Sequence, residues 1–189
     1  MLKLKNDTPD ILLQASLDSD AILAMRTYQA LGFMPKGILA MGAAFASPDF
    51  MKALGKNADY AFSHTKFDPA LIEKRKAAAA VNKLYEARSG RPLWDAPARE
   101  FTASLVIADA LNRAKSLSPE DIIQALRETN IDGADTIAPY KGIRFNEKGQ
   151  NVLATGLITQ IQDGKHYPVW PKDLAVKAVV FPAPPWDKR

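Results

Sequence analysis

Two short runs of the sequence combine residue types suited to holding a small molecule. They are residues 16–18 (Ser16, Leu17, Asp18) and residues 42–45 (Gly42, Ala43, Ala44, Phe45). A hydroxyl and free backbone amides at a helix start can donate to an anion. A carboxylate can receive a cationic group, small side chains leave room, and a phenylalanine ring offers an apolar wall. The pattern therefore indicates ligand binding, with these residues as candidates.

The residues needed for catalysis or metal binding do not converge in this sequence. His64 and His166 are far apart and lack metal-ligand spacing, no serine has a nucleophile-elbow context, and no glycine-rich phosphate loop is present. Asp18 and Asp20 form a carboxylate pair, but a predicted helix start there favours capping and interaction with the helix dipole. We expect a protein that is not an enzyme, with no cofactor and no metal.

Composition excludes several other classes. The chain has 189 residues, 47% hydrophobic and 24% charged, with a net charge of +4 and no cysteine. These values are typical of a globular protein with one domain or parts of two. The basic run at residues 73–76 has no aromatic interleaving and is predicted to be a solvated helix face, so nucleic acid is not expected. No apolar run reaches the roughly 20 residues of a membrane span, and the N-terminus has no pattern of an export signal.

The two candidate runs follow segments that predict a βαβ unit. Residues 11–15 and 38–41 are short apolar runs typical of buried strands, and residues 22–31 between them carry a helical apolar pattern. Strands joined by a crossover helix are parallel. Because ligands of open parallel sheets lie outside the carboxyl ends of the strands, residues 16–18 and 42–45 are expected at one edge.

The remaining elements follow from caps, periodicity and turns. We predict helices at residues 48–54, 70–88, 97–115 and from 119, strands at 59–63, 142–145 and 152–162, a hairpin turn at Asp163-Gly164, and an apolar run at 178–181 in an extended tail.

The order of these elements resembles a known family, the type I periplasmic substrate-binding proteins of ABC transporters, branched-chain amino acid (Leu/Ile/Val) class. The resemblance lies in PDILL (9–13), DAI (20–22), ALGFMPK (30–36), LYEARSG (84–90), the helix 101–115, ALRETN (125–130), GIRFNEKGQ (142–150) and the hairpin 160–170. It covers residues 8–171, and its specificity comes from the order and spacing of the motifs together.

The resemblance implies an α/β fold in which two lobes, each a parallel sheet with helices on both faces, close on the ligand. Residues 1–66 would be part of the C-terminal lobe, residues 67–135 helices of the N-terminal lobe, and residues 136–189 a β-rich return to the C-terminal lobe with a tail. Most of the N-terminal lobe and the signal peptide would be missing. An isolated first strand agrees with this, because a parallel strand is normally flanked and buried on both faces.

The implied function is the substrate-binding component of an ABC importer, located in the periplasm, with permease subunits as partners. Amino-acid binders of this class usually carry an acid after the second strand, whereas residues 42–45 have none. The resemblance implies a branched-chain amino acid as ligand, whereas the missing acid favours an apolar or aromatic carboxylate. A ligand-sensing domain of the same fold that regulates a partner protein is the alternative, and an α/β enzyme is a third reading.

Overall fold

The computed structural model describes residues 6–41 and 44–189, so Gly42 and Ala43 lie outside the described residues. The chain forms two compact units, one comprising the residues up to Asp68 together with Leu157–Arg189, and the other Pro69–Gly156. The chain returns to the first unit at Leu157, which is later than the predicted return at residue 136. The assignment of these units to lobes remains a prediction.

The strands and helices occur in the following order along the chain. They are β1 (Ile11–Ala15), α1 (Asp18–Ala30), β2 (Gly37–Met41), α2 (Pro48–Leu54), β3 (Phe62–Thr65), α3 (Lys76–Ser89), α4 (Asp95–Arg113), α5 (Pro119–Arg127), β4 (Asn130–Asp132), β5 (Gly142–Arg144), β6 (Leu157–Gln162) and β7 (Lys165–Trp170).

The first unit is built on a five-stranded mixed sheet in the order β1-β2-β3-β6-β7. The βαβ prediction is confirmed, since β1 and β2 are parallel neighbours in the register Ile11↔Gly37 to Ala15↔Met41. Strand β3 is parallel to β2, whereas β6 and β7 are antiparallel. The α/β class is confirmed, and the sheet is mixed because β6 pairs antiparallel to β3 and the Asp163-Gly164 hairpin then places β7 antiparallel to β6. Both turn residues have positive φ, 53° and 71°, as a tight two-residue hairpin requires.

One face of this sheet is covered by α1 and α2. Helix α1 buries Ala21, Met25 and Tyr28, which are spaced three or four residues apart and so share one helical face. They pack with residues of α2 and the sheet that include Phe50 and Ile38. Helix α2 begins as predicted, with the Ser47 hydroxyl accepting from the Asp49 amide at 3.2 Å. This core fixes the sheet edge on which the candidate residues lie.

The opposite face is partly covered by the C-terminal tail and not by a helix of the described residues. Gln160 and Gln162 are buried there and bind the backbone of the tail at Val180 and Ala178. The apolar run 178–181 therefore attaches through side chains and does not form a strand. Trp186 adds an anchor, its indole Nε1 donating to the Phe33 carbonyl at 3.0 Å.

The second unit contains α3, α4 and α5 and the two-stranded antiparallel sheet of β4 and β5. Glycine is required at the first residue of β5, because Gly142 has φ +156° and an added Cβ would lie 2.7 Å from the Ile131 carbonyl oxygen. The two long helices of this unit, α3 and α4, carry exposed apolar side chains. Leu84, Phe101, Ile107 and Leu111 are all solvent-exposed.

Three predicted boundaries are wrong for identifiable reasons. Strand β3 begins three residues late because Tyr60 is left-handed, with φ 67°, in a turn. Helix α3 begins at Lys76 because Arg75 is extended, with its guanidinium bound to the Gly133 and Thr136 carbonyls. Strand β6 begins at Leu157 because residues 151–153 form a turn in which the Asn151 side chain accepts from the Leu153 amide.

Candidate functional site

The carboxyl ends of three parallel strands meet at one edge of the first unit. Ala15 at the end of β1 is in register with Met41 at the end of β2, and Met41 is in register with His64 of β3. Residues 16–18, residues 42–45 and Lys66 follow these strand ends directly. This is the edge where parallel sheets bind ligands.

The first loop leads into α1 with unpaired amides. Leu17 is the N-cap in extended conformation, and no described side chain caps the helix, so the capping predicted for Asp18 and Asp20 is wrong, although both lie in its first turn. The Ser16 hydroxyl instead accepts from Gln14 Nε2 at 3.1 Å. Leu17 and Asp18 are exposed, and Ser16 is half-buried. The first-turn amides of α1 are thus available to an anion, while the Asp18 carboxylate nearby suits a cationic group.

Phe45 does not form the predicted apolar wall. Its side chain is 1% exposed and packs against Phe50 with ring centroids 4.4 Å apart. The reason is that residues 44–46 form a 3-10 turn folded onto β3, which directs the ring into the core. Ala44 is buried in the same cluster. Neither side chain offers exposed surface, and Gly42 and Ala43 lie outside the described residues.

A half-buried histidine of β7 lies close to the backbone of this turn. His166 of β7 has its Nδ1 3.3 Å from the Thr159 hydroxyl, and its Nε2 has no hydrogen-bond partner among the described residues. Burial lowers the pKa of His166 to about 4, and the backbone of Phe45 opposes this shift. His166 is therefore neutral at physiological pH.

Acid is expected to destabilise the first unit through His166. Between pH 6.5 and about 4 the unfolded chain binds the His166 proton while the folded chain does not, so unfolding becomes more favourable as pH falls through this window. The shift corresponds to about 3 kcal/mol. Chemical denaturation from pH 7.5 to 4 measures it, and His166→Gln should flatten the profile. An unchanged profile in that variant would contradict this assignment.

Sequence reasoning missed one basic residue at the edge, Lys66, and weighed its neighbour His64 only as a metal ligand. Lys66 Nζ lies 2.9 Å from Nε2 of His64 and 3.1 Å from Nδ1, and both residues are half-buried. Lys66 was missed because β3 was expected to end at Ser63. With the observed boundary, the position just after the third parallel strand would have indicated it.

The edge therefore presents a hydroxyl, helix amides and a lysine, with one carboxylate. These groups can hold a small anion or a zwitterion by hydrogen bonds and charge. Among the described residues no three potential metal ligands cluster, and in the same part of the chain no helix is long and apolar enough to span a bilayer.

Comparison with known proteins agrees with this geometry. Residues 1–165 match the family described as Periplasmic binding protein. The chain is 29% identical over 193 residues to Leu/Ile/Val-binding protein homolog 7 of Brucella suis biovar 1, covering 96% of this chain and 46% of the relative. It thus spans less than half the length of that curated relative.

Solved structures with the same fold also match most of this chain and less than half of their own length. A leucine-binding protein from Thermotoga maritima superposes with a TM-score of 0.70 at 22% identity, covering 84% of this chain and 43% of that protein. A solute-binding protein from R. palustris in complex with benzoate gives a TM-score of 0.72 at 12% identity, covering 89% and 44%. The chain belongs to the periplasmic binding protein family, within the type I class that includes the Leu/Ile/Val-binding proteins.

Proposed function

We propose that this chain is part of the substrate-binding component of an ABC importer, and that its sheet edge forms one half of a site for a small carboxylate. The observation that carries the proposal is that the Ser16 hydroxyl and the uncapped amides of α1 both lie at the end of β1. Lys66 after β3 adds a positive charge at the same edge. The family consists of binding proteins and is not an enzyme class.

Location and partners follow from the family. The relationship to periplasmic binding proteins supports a periplasmic location and the delivery of solute to permease subunits. The expected ligands are branched-chain amino acids, for which relatives are named, and aromatic carboxylates such as the benzoate of one structural neighbour. Asp18 suits the ammonium of an amino acid, whereas an aromatic carboxylate would lie away from it.

The assignment of Ser16, Leu17, Asp18, Gly42, Ala43 and Phe45 as ligand-binding is also part of this proposal. For Phe45 the contribution is limited to its backbone, because the ring belongs to the core. Leu17 is an exposed apolar side chain at the edge and replaces Phe45 as the candidate packing surface.

A thermal-shift titration with leucine, isoleucine, valine and benzoate tests the proposal. It is run on the 189-residue chain and on the product of the longest open reading frame that contains it. A ligand at 100 times its dissociation constant adds about 2.7 kcal/mol of stability. Ser16→Ala should weaken binding by about tenfold to a hundredfold, the value of one hydrogen bond to a charged group.

Ser104→Ala is the matched control, because Ser104 is an exposed α4 residue whose hydroxyl binds only the Glu100 carbonyl. It should leave both stability and affinity unchanged. Absence of stabilisation by all four compounds in both proteins would reject the proposed function. Equal affinity of Ser16→Ala and the parent protein would place the site elsewhere.

A further inference from the structure

Three side chains form a directed hydrogen-bond chain that ends at the candidate site. The Tyr28 hydroxyl of α1 donates to Gln14 Oε1 of β1 at 2.9 Å. Gln14 Nε2 then donates to the Ser16 hydroxyl oxygen at 3.1 Å. Tyr28 is buried, and Gln14 and Ser16 are half-buried on the side of β1 that faces α1. This hydrogen-bond chain from Tyr28 through Gln14 to Ser16, here called the relay, therefore runs from the core to the sheet edge.

The direction of both bonds is set by the orientation of the Gln14 amide, whose Oε1 faces Tyr28 and whose Nε2 faces Ser16. A tyrosine hydroxyl has one proton, and an amide side chain has a carbonyl that only accepts and an amino group that only donates. With its carbonyl occupied by Tyr28, Gln14 can present only its amino group to Ser16. The serine oxygen then accepts, and among the described residues no hydrogen bond uses its proton.

We infer that Tyr28 and Gln14 are positioning residues that make the Ser16 hydroxyl a hydrogen-bond donor at the sheet edge, so that the site selects a ligand oxygen that accepts. The inference rests on the proposed function. It adds that the Ser16 hydroxyl donates to the ligand and that Tyr28 and Gln14 set this direction. Burial raises the pKa of Tyr28 above its usual value, which keeps its proton in place. The relay discriminates a carboxylate from a neutral amide, whose amino group would meet the Ser16 proton in one of its two orientations.

Gln14→Glu reverses the direction of the hydrogen bond between residue 14 and Ser16 while keeping the shape of the side chain. A carboxylate accepts from both hydroxyls, so Ser16 would donate inward to Glu and turn its lone pairs to the edge. The expected result is a loss of benzoate affinity of at least about tenfold, with benzamide affinity held or raised. Tyr28→Phe, which adds no charge, should lower the benzoate-to-benzamide ratio by a smaller factor, because the Gln14 amide is then free to turn over.

Gln29→Glu is the matched control for added charge, since Gln29 is exposed on α1 and its Oε1 accepts from Asn57. It should leave the benzoate-to-benzamide ratio unchanged. A ratio altered equally by Gln29→Glu and Gln14→Glu would overturn the inference, because general charge would then explain the effect.

A second readout needs no ligand. In the 189-residue chain the Gln14 Nε2 proton that donates to Ser16 should be shifted downfield and should exchange slowly with solvent. Ser16→Ala should remove that shift, and Tyr28→Phe should speed the exchange of both Nε2 protons. Signals of a freely exchanging amide that neither variant affects would overturn the relay. An intact relay in proteins that bind neither benzoate nor a branched-chain amino acid would reject both the proposed function and the selection step, while leaving the positions of the three side chains established.

Discussion

Phe45→Ala is expected to lower the free energy of unfolding by about 3–5 kcal/mol. Phe45 is 1% exposed and packs on Phe50 at a centroid distance of 4.4 Å. Removing the ring leaves a cavity between the 3-10 turn and α2 that the surrounding sheet cannot fill. Chemical denaturation followed by circular dichroism measures the loss.

The same substitution at an exposed ring is the control. Phe101 of α4 is 40% exposed, so Phe101→Ala should cost less than about 1 kcal/mol in the second unit. Phe45→Leu, which retains most of the volume, should cost about 1 kcal/mol. A Phe45→Ala protein as stable as the parent, with weakened ligand binding only, would restore Phe45 as a wall of the site.

Gln160→Leu is expected to release the central part of the C-terminal tail and to cost about 4 kcal/mol. The amide of Gln160 is fully buried and takes part in four hydrogen bonds, two with the backbone of Val180, one with the Tyr60 carbonyl and one with Gln162. Each is worth about 1 kcal/mol, and groups left unpaired in the interior raise the cost. Leucine keeps the volume but provides none of these bonds.

Hydrogen exchange separates local release from general destabilisation. The Val180 amide, which donates to Gln160 Oε1 at 2.9 Å, should lose its protection in Gln160→Leu. Trp186 should stay anchored through the Phe33 carbonyl. Gln124→Leu is the control, because Gln124 is exposed and its side-chain amide binds only Glu128. Continued protection of Val180 in Gln160→Leu would show that the tail is held by other contacts.

The βαβ unit could be predicted because its signals are local. The apolar runs at β1 and β2, the helical pattern between them and the glycine after α1 are each read within a few residues, and connection rules then set the parallel pairing. The Asp163-Gly164 hairpin and the Ser47 cap were predictable for the same reason. The order of these local signals along 189 residues also carried the family resemblance.

One of the wrong boundaries has a cause that is distant in sequence. Helix α3 starts late because Arg75 binds carbonyls at Gly133 and Thr136, about 60 residues away. The apolar run 178–181 was predicted to be extended, but its attachment to the side chains of Gln160 and Gln162 could not be predicted. Local propensity contains no information about such partners.

For the site, the sequence by itself determined which loops lie at the sheet edge, since the ends of parallel strands follow from the strand order. Only the tertiary structure decided what each side chain does there. Phe45 turned into the core because a 3-10 turn folds back on β3, and Ser16 became a hydroxyl supported by Gln14 and Tyr28 and not a helix cap. Strand ends are set by backbone pairing along the chain, whereas the direction of a side chain depends on which buried partners the packed fold brings within hydrogen-bond distance.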